Sequence, residues 1–114
     1  MELKVDLDAY FGCYLAPEKA LDWDRSKAQL QAGTTVSGKV VARCIFGLFI
    51  DLGVGFPALL PITQFNPTPK RRPVVIEDYP PVGSLIMGRV VAFNDPNRQI
   101  GLTQLDPHPW LDKS

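Results

Sequence analysis

The sequence predicts a small all-β protein: a closed five-stranded barrel behind a short N-terminal extension of strand and helix. Three observations lead there. Residues 34–104 break into five short runs rich in β-branched and apolar residues. Turn residues separate most of these runs, and one longer proline-rich connection divides the third from the fourth. Closure is expected because a short open sheet would leave its edge strands bare.

The elements follow in chain order. "ELKVDLDA" alternates Leu3, Val5, Leu7 and Ala9 with charged residues, the pattern of a half-buried strand. "APEKALDWDRSKAQLQAG" has Pro17 at a plausible helix start, Gly33 past a plausible end, and Trp23 and Leu30 on one face. One helix or two short ones fit it. The barrel strands are then "TTVSGKVVARCIF", "GLFIDLGVG", "ALLPITQF", "GSLIMGRVVAFN" and "RQIGLTQL", the last two flanking the turn Asn94-Asp95-Pro96-Asn97. "NPTPKRRPVVIEDYPPV" is a charged surface loop with room for one helical turn. The expected division is residues 1–33 extension, 34–105 barrel and 106–114 tail.

At 114 residues and 12.6 kDa the chain fits one domain. With 46% hydrophobic residues, wholesale disorder is excluded. No apolar run is long enough to cross a bilayer and "MELKVDLDAY" lacks the pattern of a signal peptide, so a cytoplasmic protein without membrane contact is expected. Cys13 and Cys44 lie far apart, without C-x-x-C spacing, and read as buried or incidental thiols. Net charge is zero, yet residues 1–33 carry −2, residues 34–104 +3 and residues 105–114 −1. A modestly basic body between acidic flanks suits weak, salt-sensitive binding of a phosphate chain.

"FGLF" poses a geometric problem: Phe46 and Phe49, three residues apart, cannot share a face of a regular strand. A bend at Gly47 would turn both rings outward, whereas an unbroken alternation leaves Phe46 in the core and Phe49 a lone surface ring. The chain from Trp23 onward, through Leu30, Gly33, "VSGKV", "FGLFIDLGVG", "ALLPITQF", "VGSLIMGRVV" and "DPNRQIGLT", resembles the RNA-binding repeat of ribosomal protein S-one, an oligonucleotide/oligosaccharide-binding (OB) fold. The segment before Trp23 lies outside the likeness. The resemblance implies that Phe46 and Phe49 are stacking aromatics on the outer barrel face and that Asp95 belongs to the same face. The family's basic position falls on Gln99, with Arg98 beside it, and Pro61 stands where a histidine is usual.

Alternation suggests that Lys39 and Arg43 share an outward face of the first strand. Lys70, Arg71 and Arg72 would either clamp phosphates or merely solubilise their loop. Arg89 reads as ordinary rim. No catalytic constellation, phosphate-cradling glycine loop or metal cluster is visible, so neither enzymatic activity nor a cofactor is expected. His108, the only histidine, falls in a proline-rich tail and reads as exposed and inert. Adjacent Glu77 and Asp78 sit in the loop. The expected function is binding of single-stranded RNA by base stacking and a weakly basic groove. The alternative is a protein-interaction module that keeps the barrel and uses Phe49, Phe56, Phe65 or the acidic extension to hold a partner.

Overall fold

The computed structural model describes residues 7–67, 69, 73 and 75–112. Two short helices lead the chain: α1 (Leu7–Phe11) and, after a 3-10 turn at Pro17–Lys19, α2 (Ala20–Gln29). Leu7 and Ala9 are therefore helical, not part of the expected strand; Leu3 and Val5 lie outside the described residues. The strand pattern there rested on alternation over one short stretch, which five helical residues satisfy as easily. Five strands follow, β1 (Thr35–Cys44), β2 (Gly47–Asp51), β3 (Pro57–Pro61), β4 (Leu85–Asn94) and β5 (Gln99–Thr103), closed into a barrel in the order β1-β2-β3-β5-β4. All neighbours are antiparallel except β3 and β5. The long connection carries the expected helical turn at Ile76–Asp78, and a second such turn at Ile62–Gln64 ends "ALLPITQF" earlier than its pattern suggested.

Alternate residues of each strand fill the barrel, with Val40, Leu48, Ile50, Ala58, Leu60, Val90, Ile100 and Leu102 at 3% exposure or less. Leu52 packs partly buried against them. Trp23 projects from α2 into the barrel end, edge-on to Phe56 at 5.1 Å and to Phe93 at 5.8 Å. The extension thus belongs to the core it precedes. The Gly33 amide donates to the Val90 carbonyl at 2.7 Å, joining the end of the extension to β4.

Candidate nucleic-acid interface

The Phe46 and Phe49 problem is solved by a turn. β1 ends at Cys44 and β2 begins at Gly47, its cross-strand partner, so Ile45 and Phe46 form the hairpin connection between them. Gly47 permits a close passage: a Cβ there would run into the Leu60 carbonyl oxygen on β3. The turn is held at both residues, because the Tyr79 hydroxyl donates to the Ile45 carbonyl at 2.8 Å and the Ile62 amide to the Phe46 carbonyl at 2.8 Å. Phe46 is half exposed, at 51%. Phe49 lies between the core residues Leu48 and Ile50 and on the opposite, outer side of β2. Its ring is nevertheless only 5% exposed, with Phe46 standing edge-on against it at 6.0 Å. The expectation that both rings project into solvent is corrected: Phe46 is presented and Phe49 is covered.

Lys39 and Arg43 do not share a face. The register of β1 against β2 slips between Val40 and Ala42, a β-bulge that adds one residue and reverses the alternation beyond it. Lys39 pairs with Asp51 and stays exposed, whereas Arg43 pairs with the core residue Leu48. The Arg43 guanidinium donates to the Ile76 and Tyr79 carbonyls at 3.3 and 3.4 Å, tying the long loop to β1. Nothing in the residue types of "KVVAR" marks the bulge.

Asp95 and Arg98 both engage the extension. One Asp95 oxygen accepts from the Trp23 indole at 2.8 Å and from the Lys27 ammonium at 2.9 Å, and those two donors, Lys27 first, hold the carboxyl below its ordinary range. Arg98, in the left-handed backbone region at φ 48°, donates to the Tyr14 and Ala16 carbonyls at 3.1 and 2.8 Å. Gln99 begins β5 opposite Asn94 and is half-buried. α1 makes a similar contact, as the Tyr10 hydroxyl donates to Asp51 at 2.8 Å and is pushed above its usual pKa by that bond. Lys70, Arg71 and Arg72 lie outside the described residues. Among the described candidates Phe46, Lys39 and Asp95 are exposed, and of these Asp95 is already engaged by Trp23 and Lys27.

His108, expected to be exposed and inert, and Arg89, expected to be ordinary rim, are both built into the structure. His108 is 7% exposed, and its Nδ1 accepts from the Trp110 amide at 3.1 Å. Arg89 holds Asp112 through two hydrogen bonds, at 3.0 and 2.6 Å, and also donates to the Leu105 carbonyl. The signal missed in the sequence was the Asp112 carboxylate four residues after His108, able to cap a turn and reach an arginine together. Phe56 and Phe65, candidates for partner contact, are 2% and 5% exposed and belong to the core. Among the described residues no group of three or more His, Cys, Asp or Glu is placed to hold a metal, and no helix is long and apolar enough to cross a membrane.

Comparison with known proteins adds sequence and fold relatives. No protein-family model matches the chain. The human "S1 RNA-binding domain-containing protein 1" is 44% identical over 48 residues, which is 38% of this chain and 5% of that protein. The "Small ribosomal subunit protein bS1" of Chlamydia muridarum is 25% identical over 81 residues, 71% of this chain and 14% of the relative. The chain therefore spans a small part of the curated relatives it matches. Among solved structures, GSP13 from Bacillus subtilis aligns over 74% of this chain and 64% of its own, with a TM-score of 0.52 at 21% identity.

Proposed function

We propose that this chain, which carries an S1-type domain of the OB fold, binds single-stranded RNA on the outer barrel face beside the β1–β2 turn. The observation that carries the reading is Phe46: a half-exposed ring at a turn whose carbonyls are fixed by Tyr79 and Ile62. A base can stack on such a ring without first ordering it, and stacking of this kind is tolerant of sequence. Phe49 backs the ring from the strand, and Lys39 supplies local positive charge. With no net charge on the chain, the affinity is expected to be weak and to fall steeply with salt. The relatives named as RNA-binding support the same reading.

A specific observation favours a second reading, a protein-interaction module. Asp95 and Arg98 are already engaged by the extension, while Val82, Leu85 and Met87 leave apolar side chains 58–73% exposed in and before β4. Titration of the chain with a short homopolymer RNA across a range of salt separates the two. Affinity that falls linearly on a log–log plot and drops in Phe46→Ala supports RNA binding. No binding at low salt leaves the interaction module standing.

A further inference from the structure

The tail after β5 is folded back on the barrel by a closed set of polar contacts. The Arg89 guanidinium grips both Asp112 oxygens, the His108 amide donates to the same carboxylate at 2.6 Å, and the Asp112 amide returns a bond to the His108 carbonyl at 2.9 Å. The Trp110 and Leu111 amides both donate to His108 Nδ1. This arrangement buries His108 and leaves Trp110 69% exposed. Keeping an indole in water forgoes much of the hydrophobic stabilisation its burial would supply, so an anchored, exposed tryptophan is a candidate contact surface.

Trp110 borders a groove of about 390 Å³ with predominantly apolar walls, formed by Leu59, Pro61, Ala92, Gly101 and His108. The groove adjoins the Phe46 platform through the sheet itself. Leu59 pairs with Phe49 across β2–β3 and with Gly101 across β3–β5, so one cross-strand row runs from the platform into the groove. Neighbouring strands lie about 4.8 Å apart, which keeps the two sites within reach of one strand of nucleic acid. Pro61, Ala92 and Gly101 share the lining with the aliphatic Leu59, Val91 and Leu105, so the groove can receive a largely apolar group beside the indole.

We propose that Trp110 and this groove form a second stacking site, taking an unpaired nucleobase of the same RNA strand whose other base lies on Phe46. The inference rests on the RNA-binding reading. A base offers a π-face to the indole and an apolar body to the groove, and the walls, poor in polar side chains, select little among bases.

The test uses the chain's two indole N–H signals in two-dimensional NMR. Trp23, hydrogen-bonded to Asp95 away from the groove, serves as the internal reference. On titration with a short oligouridylate the Trp110 signal should shift and that of Trp23 should hold. Trp110→Ala should weaken binding by about five-fold or more, and Trp110→Phe should restore most of it. Trp110 is exposed, so the fold should survive both changes. Binding that depends on Phe46 while the Trp110 signal stays still and Trp110→Ala binds normally overturns this site and leaves the RNA reading intact. No binding by the unsubstituted chain overturns both. A Trp110 signal that moves with an apolar peptide, while oligouridylate is inert, assigns the groove to a protein partner and overturns the proposal.

Discussion

Phe46 and Phe49 touch each other, yet truncating them should move different observables. Phe46→Ala removes an exposed ring from a turn that is held by its carbonyls, so the melting temperature should hardly change while RNA affinity falls by about 1–3 kcal/mol. Phe49→Ala empties a covered position on β2 and should cost about 3 kcal/mol of stability, read as a lower denaturant midpoint. Equal loss of stability in both variants would mean that Phe46 packs as Phe49 does. Leu48→Ala and Ile50→Ala, at fully buried sites, should each cost about 2–5 kcal/mol. Near-neutral values there would put the register of β2 one residue out, and Phe49 with it.

Helix α2 and the tail are each fastened to the barrel by a carboxylate, which makes both attachments acid-sensitive. Asp95 has its pKa lowered by Lys27 and Trp23, and Asp112 has its pKa lowered to about 2 by Arg89 and the His108 amide, both from an ordinary 3.8. A folded-state pKa below the unfolded value stabilises the attachment in full above the unfolded pKa and loses that contribution as pH falls through the folded one. The tail contact should therefore persist at pH 5 and weaken between about pH 4 and 2, followed by the Trp110 and Leu111 amide signals. Asp112→Asn should release the tail already at neutral pH, and Asp95→Asn should accelerate amide exchange in α2 before that of the barrel strands. A tail that stays docked in Asp112→Asn would show that His108 burial alone holds it.

For the molecule as a whole, the balance of charge sets how it meets a polyanion. Zero net charge and the engagement of Arg43, Arg89 and Arg98 in internal contacts leave Lys39 and the Lys70, Arg71, Arg72 run as the remaining cations of residues 34–104. If each of those three loop residues neutralises one phosphate, replacing all three with Gln should flatten the log–log salt slope by roughly 2 units, at about 0.7 per contact. The loss should be similar for every RNA sequence, since phosphate contacts carry no base information. An unchanged slope would show that the run stays in solvent and that Lys39 carries the electrostatic attraction.

The sequence by itself determined the barrel strands, their turns and the presence of a helix before them, because those features are written in local alternation, glycine placement and the Asn-Asp-Pro-Asn turn. It also marked Phe46 and Phe49 as a pair demanding an interruption between them. Only the tertiary structure decided which ring faces solvent, since covering Phe49 depends on a turn and a sheet surface, not on the spacing of two residues. The bulge at Val41 reversed the side taken by Arg43 with no special residue to announce it. The remaining roles were settled across long stretches of chain: Trp23 meets Asp95 across 72 residues, Arg98 reaches Tyr14 across 84, and Arg89 grips Asp112 across 23. A charged side chain in a sequence window carries no record of its partner, because barrel closure brings the partner from elsewhere in the chain; hence Arg89 and His108 looked idle until the tail was seen folded against β4.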